Sequence, residues 1–388
     1  MKYDAVVVGA GFAGAILAER LASQQGKRVV LLDRRKHIAG NMYDRPDHTG
    51  ILVHVYGPHI FRTDSPRVLE YLSQFTDWRA YEHKVLASVD GQLVPVPFNL
   101  VSLHKLLPKD KAERLEKKLL ERYAYDAKVP VYDLRTHEDA DIRELGEFIF
   151  QKIYLNYTVK QWGDRPENLD FATITKRVPV RLSHDDRYFQ QKNQGMPKAG
   201  YTRLFERMLA HPNIELRLGV DATKVLGLDE ASGKISFEGA PFDGPVVYSG
   251  ALDELFAYRY GELAWRSLRF EVKTVEQDFF QPVAVVNYPN DHDYTRITEF
   301  KHLTGQPVRG VTSYCEEYPL AYDRKKGHEP YYPIPKVEND AAHQRYLETA
   351  KKFPNLVVIG RLAEYRYYDM NDIILRALGQ FAEMRDRR

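Results

Sequence analysis

The chain has 388 residues, 44% hydrophobic and 28% charged, enough apolar content for two or three domains that each bury a core. A formal net charge of +2, with Lys and Arg interleaved among Asp and Glu, excludes the basic stripe of a nucleic-acid binder. One cysteine, Cys315, excludes a disulfide framework and a cysteine-built metal cluster within one chain, and its strand-like setting makes it an inert, partly buried thiol.

The chain opens on its most informative stretch. Val6–Val8 is a buried-strand run, Gly9, Gly11 and Gly14 form GxGxxG, and Ile16, Leu17 and Leu21 have helical spacing. Val29 to Leu32 then forms a second strand ending at Asp33. Strand, glycine turn, helix, strand and acidic residue together are the fingerprint of a dinucleotide site, with phosphate at the helix N-terminus and Asp33 on a ribose. The motif alone does not choose between FAD and NAD. Because the first strand starts almost at once and no stretch is apolar over a membrane's thickness, a cytoplasmic protein without a signal peptide or membrane span is expected.

Residues 37–44 (HIAGNMYD) form a turn-prone loop where a dinucleotide would continue, and Ile51 to Tyr56 alternates as a strand. Ser65 as N-cap and Pro66 at N1 begin a helix with Val68, Leu69, Leu72 and Phe75 on one face. From Tyr81 the period becomes two. Asp90-Gly91 predicts a hairpin with a type I′ turn, and Pro95 and Pro97 predict an edge strand. Residues 102–127 read as one helix, with Leu115, Leu119 and Tyr123 sharing a face, and 141–160 as another, with Pro130 between them.

The loop 160–169 leads to Arg177, Arg181, Arg187 and Tyr188, which cluster with Trp162 where little regular structure is expected. The residues alone leave open whether these are solvated charges or one wall of a cleft. A helix is expected within 194–209, then a strand at Ile214 to Leu218 and a hairpin from Val225 to Leu228 and Lys234 to Phe237. Val246 to Ser249 is a returning strand. Leu268 to Val275, Ala284 to Tyr288, Thr295 to Phe300 and Thr312 to Glu316 are strand-like and extend the sheet begun at Asp90. Leu356 to Ile359 runs into Gly360-Arg361 and a last helix carrying Ile373, Ile374, Leu378 and Phe381, which aims Arg361 at a pyrophosphate. Tyrosine occurs 26 times against 18 phenylalanines, which suits a large, part-wet cleft for a polar ligand with flat rings, compositional drift being the bland alternative. His54, His59 and His302 do not have metal-site spacing and there is no HExxH, so no metal is expected.

GAGFAG with HIAGN, YGPHIF, YTVKQWG, KRVPVR, DDRYF, QGMPKAGYT, YTRITEF, EPYYPIP and GRLAEYRYYDM, in this order, resemble the bacterial UDP-galactopyranose mutases along essentially the whole chain. The resemblance implies an α/β fold: a discontinuous FAD-binding Rossmann-like domain (residues 1–80, 201–255 and 336–388), a helical domain (100–162) and an antiparallel β-sheet domain (81–99 and 256–335, with 163–200 supplying a mobile loop and further sheet). It also implies an FAD that is active when reduced, a reaction through a flavin N5–sugar adduct without net redox change, and a homodimer. Arg177 matches a mobile-loop arginine that closes on the substrate pyrophosphate, and Arg296 a second, fixed one. Tyr157, Trp162, Tyr188, Tyr332 and Tyr367 match substrate-pocket residues. Phe12, Arg34, Gly40, Asn41, His59, Ile60, Arg361, Asp369 and Met370 join the glycines and Asp33 as cofactor residues.

His59, Arg62 and Asp369 stand with the two arginines as catalytic candidates. The implied partners are UDP-galactose and UDP-galactofuranose. Where the family commonly reads HIFHT this chain reads HIFRT, so Arg62 replaces an imidazole by a permanently charged fork of donors. Either Arg62 only adjusts the flavin's surroundings, or it donates to an N-acetyl carbonyl and admits UDP-N-acetylgalactosamine, the wider range being the expectation. A flavin-dependent oxidase or dehydrogenase and a non-catalytic flavin- or nucleotide-binding module are the competing classes. The paired arginines and Trp162 argue against both.

Overall fold

The structure, a computed structural model, describes residues 2–334 and 336–386. Met1, Pro335 (the last residue of the EPYYPIP segment), Arg387 and Arg388 lie outside them. Its first layer is a five-stranded sheet in the order Ile214–Leu218, Val29–Asp33, Ala5–Val8, Val246–Tyr248, Leu356–Val358, every pair parallel. The strands Ala5–Val8 and Val29–Asp33 are buried at every position, which is why they are apolar throughout up to the terminal Asp33 instead of alternating. On one face pack the helices Phe12–Gln25, Tyr201–Met208 and Met370–Asp386, with Ile16, Leu17, Leu21, Phe205 and Ile374 wholly buried. Each such side chain contributes about 1.5–3 kcal/mol. On the other face lie the three-stranded sheet Leu226–Asp229, Lys234–Phe237, Ala240–Phe242 and the helix Val337–Ala350.

The second layer is a seven-stranded sheet in the order Tyr332–Pro333, Trp265–Val275, Thr312–Ala321, Arg296–Glu299, Val285–Asn287, Val85–Val89, Gln92–Val96. The expected antiparallel sheet is corrected at one seam: Val285–Asn287 lies parallel to Val85–Val89. The chain leaves this sheet after the Asp90-Gly91 hairpin and returns only after the helical region and two strands of the first layer, so the seam is a crossover and not a hairpin. Asp90 (φ 48°) and Gly91 (φ 78°) both take the positive φ of a type I′ turn. Pro95 sits on the outer strand, as a residue without a donor must.

The third layer is helical. The single helix expected over 102–127 is two, Leu100–Leu106 and Lys109–Arg122. Pro108 forces Leu107 into extended backbone, φ −113° and ψ 151°, and Asn99 and Ser102 close a capping box on the first. The helix expected over 141–160 is also subdivided: Ala140–Ile149, a π-helical stretch Phe150–Leu155, then Asn156–Trp162, stopped by Gly163 at φ 61°. Ser65 stands at the N-cap of Pro66–Ser73, but its side chain makes no capping bond. Among the described residues no helix is long and apolar enough to cross a membrane.

Candidate active site

The three layers enclose one cavity of about 1190 Å³, above the roughly 300–1,000 Å³ of a pocket for a single small ligand. It begins at the carboxyl ends of the parallel strands. Gly9 (φ +98°) turns the chain, and any side chain there would collide with the Ser249 hydroxyl. A Cβ on Gly40 would stand 2.9 Å from the Gly11 Cα, so two backbones meet edge to edge on the cavity wall. The helix Phe12–Gln25 has no side-chain cap and no acidic residue in its first turn, which leaves its N-terminal amides to an anion. Asp33, buried at the strand end, accepts the amides of Ala10 and Arg35 at 2.8 Å, and each oxygen keeps a further lone pair. Arg34 is held by both oxygens of Glu254 at 3.0 Å. Asn41 accepts from Arg35 at 3.0 Å, and Arg35 lies over the Tyr56 ring and pairs with Glu329. Phe12, Ile60 and Met370 line the same cavity. These features fit the phosphates and ribose of a dinucleotide.

The middle of the cavity carries His59, Arg62, Arg361 and Asp369. The His59 ring bonds through Nδ1 to the Gly57 carbonyl at 2.8 Å, and its amide donates to His54 Nδ1. Burial, then the nearby His54, hold the His59 imidazole neutral by pushing its pKa down to about 3. Arg62 donates to Asp369 at 2.9 Å and stacks 3.9 Å above the Phe189 ring. Asp369 also accepts the Asp372 amide, so one carboxylate caps the helix Met370–Asp386 and anchors Arg62. Arg361 has no side-chain hydrogen bond or ion pair among the described residues, and burial depresses its pKa. A guanidinium in that state favours an anionic partner.

The far end belongs to Tyr157, Trp162, Arg177, Tyr188, Arg296, Tyr332 and Tyr367. The π-helical stretch explains how one helical run serves two surfaces. Ile142, Leu145, Ile149 and Tyr154 pack in the helical core, and the extra residue per turn rotates the next two turns so that Tyr157, Gln161 and Trp162 line the cavity. Arg296 donates through Nε and Nη2 to one oxygen of buried Glu317, at 2.9 and 2.7 Å. Burial opposes its charge, but Glu317 outweighs that and raises its pKa. Tyr332 is pushed up to about 12, by burial first and Glu317 second. Arg177 is exposed and unpaired among the described residues.

The structure gathers every candidate residue on this cavity except Gly14, where a Cβ would fall 1.9 Å from the Gly9 carbonyl. Gly14 therefore serves the packing of helix against turn. Of the expected cluster, Trp162, Arg177, Arg181 and Tyr188 share the cavity wall, Arg181 with its side chain only 3% exposed and paired with Asp126, while Arg187 turns to Asp185 and Glu82. Sequence reasoning missed Arg35, His83, Phe189, Gln191, Arg266 and Asn287, all on the wall. Arg62 Nε, Gln191 Oε1, Arg266 Nε and Asn287 Oδ1 are buried without a partner among the described residues, a concentration that marks a polar ligand site.

The family model of UDP-galactopyranose mutase (GLF) matches residues 152–367, more than half of the chain. A "Probable UDP-galactopyranose mutase" of Klebsiella pneumoniae is 38% identical over 378 residues, covering 96% of this chain and 92% of that one. The chain belongs to the UDP-galactopyranose mutase family. As a member of that family it is an enzyme of the flavin-dependent isomerase type. A "dTDP-fucopyranose mutase" of Escherichia coli is 35% identical over 375 residues, 96% of each chain. The fold matches the crystal structure of a reduced UDP-galactopyranose mutase with a TM-score of 0.74 at 16% identity, over 100% of this chain and 95% of that one. Residues 7–75 match an NAD(P)-binding Rossmann-like domain. Both agree with an FAD-binding fold, and the backbone approach at Gly11 and Gly40 with buried Asp33 fits that cofactor.

Proposed function

We propose that this mutase interconverts the pyranose and furanose forms of UDP-galactose, and that Arg62 extends its range to the N-acetylated analogue. The observation that carries the reading is the gathering of Arg177, Arg296 and Arg361 with Tyr332 and Tyr367 along one cavity beside a dinucleotide cradle. The diphosphate of a nucleotide sugar is dianionic and gains a further negative charge as it leaves, and fixed guanidinium forks match its oxygens. Arg296, oriented by Glu317, supplies donors already in place. Arg177, exposed and without an internal partner, can reach in from the rim. The Tyr332 hydroxyl, at about 12, stays protonated at neutral pH and donates to a phosphate oxygen. The chemistry that a bound, reduced FAD would supply is a nucleophilic nitrogen. His59, held neutral on the cavity wall, would offer that cofactor an uncharged polar ring. Arg62 spends one donor on Asp369 and keeps others, its buried Nε among them, for a sugar substituent.

A second reading rests on the fucopyranose mutase relative: a deoxysugar on a thymidine nucleotide. The test supplies UDP-galactofuranose, its 2-acetamido analogue and dTDP-fucofuranose separately to the FAD-loaded protein under dithionite, with an unreduced control and chromatographic readout. Pyranose from both UDP sugars, only when reduced, is the expected result. Arg62→His should then lower the acetamido rate relative to the plain one, and an unchanged ratio removes Arg62 from specificity. Conversion of the fucose nucleotide alone would replace the UDP-galactose reading, and no conversion of any would overturn the mutase reading.

A further inference from the structure

We propose that His104, Glu116 and His184 form a binding site for a divalent metal ion of the zinc class, on the helical layer outside the cavity. His104 lies on Leu100–Leu106, Glu116 on Lys109–Arg122, and His184 in the segment after the strand Val180–Arg181. One ligand atom from each residue lies within 4.8 Å of the others. The Glu116 carboxylate is the hub: Oε2 meets His104 Nε2, and Oε1 is 3.7 Å from His184 Nε2. Zinc bonds of about 2.0–2.1 Å in a tetrahedron hold ligand atoms about 3.4 Å apart, so small side-chain rotations close the set. Two imidazoles and a carboxylate are a zinc-type donor set, and His184, with half its side chain exposed, leaves a fourth position to water.

Two further observations separate this cluster from an incidental ion pair. No Lys or Arg pairs with Glu116 among the described residues. The basic side chains on its own helix turn elsewhere, Lys111 to Glu144, Lys118 to Asp139 and Asp141, and Arg114 to Asp141. The backbone around His184 is fixed to the helix that carries His104: Leu100 N donates to the Ser183 carbonyl at 3.1 Å, and Asn99 Nδ2 to the Asp185 carbonyl at 3.3 Å. The His184 amide donates to the Tyr125 hydroxyl, and the two rings stack at 22°. The imidazole is thus presented on a frame built independently of any ion. A metal here ties the segment between Arg181 and Tyr188, both on the cavity wall, to the helical layer. No local motif announces the site, because 12 and 68 positions separate its ligands along the chain.

The test uses the full-length, FAD-loaded protein after chelator treatment. Zn(II) is titrated calorimetrically and Co(II) followed by its visible absorption, in wild type, His104→Ala, His184→Ala and the shape-preserving Glu116→Gln. His302→Ala, which removes a different histidine beside a carboxylate, is the control. One equivalent in wild type, weakened more than about ten-fold in the three variants and unchanged in the control, is the expected result. A zinc-dependent rise in melting temperature should appear in wild type and the control, and be absent from the three variants. Absence of saturable binding, or equal affinity in all variants, overturns the proposal. Flavin absorbance confirms that each variant is folded, and the readout does not depend on the sugar substrate.

Discussion

Arg296 and Arg177 face the same cavity but are held in opposite ways, and their substitutions should separate stability from turnover. Arg296→Met leaves Glu317 buried without its partner and should destabilise the fold by about 3 kcal/mol. Adding Glu317→Gln should restore most of that stability while turnover stays about 10²–10³-fold low, because the donors for the leaving group are gone. Arg177→Ala should leave stability within about 0.5 kcal/mol yet reduce turnover, since its side chain has no partner among the described residues. Urea unfolding beside steady-state rates checks all three. His83, buried and held near 3 by burial first and Arg296 second, gives a pH prediction. Unfolded, it binds a proton below about 6.5, so folding stability is intact above that value and is lost as pH falls toward 3. Between pH 7.5 and 5 wild type should lose about 2 kcal/mol more than His83→Gln, measured by urea unfolding at both pH values.

At the scale of elements, legibility in the sequence tracks the features that local chemistry can encode. The parallel strands and the glycine turn were legible because both faces of the strands are buried and the turn needs positive φ in one contiguous stretch. The break at Pro108 was missed, because the apolar spacing of Leu115, Leu119 and Tyr123 supports a helix without showing where it begins. The π-helical stretch was not legible, because an extra residue per turn leaves no composition signal, yet it turns Tyr157 and Trp162 into the cavity. Arg266, Asn287 and His83 sit on or beside strands whose partners come from distant segments, so their neighbours exist only in the fold. Lys160, on the helix that carries Trp162, donates to the carbonyls of Tyr288, Asp291 and His292 at 2.6, 3.1 and 3.1 Å. Lys160→Met leaves those acceptors bare at about 1–3 kcal/mol in local stability. Amide exchange in 288–294 should quicken about ten-fold or more, while exchange in Ala5–Val8 stays unchanged.

For the molecule as a whole, the cavity is the meeting place of all three layers, and its charge is unbalanced. Arg361 and Arg266 lie on the wall with no carboxylate in contact among the described residues, and burial depresses the pKa of both. The uncapped first turn of the helix Phe12–Gln25 borders the same space. Such a cavity gains on binding an anionic ligand, because charges already desolvated are compensated without further ordering of the chain. Filling the cradle with FAD at about a hundred times its dissociation constant should therefore raise unfolding free energy by about 2.7 kcal/mol. The gain should be local in origin. Hydrogen exchange with and without FAD should slow in the segments 9–14, 33–41 and 360–370, which border the cradle from three separate parts of the chain. The helical core around Leu115, Leu119 and Leu145, which has its own apolar cluster, should change little. Equal protection everywhere would mean that cofactor binding and global folding are one cooperative step, and that the three layers do not act as separable units.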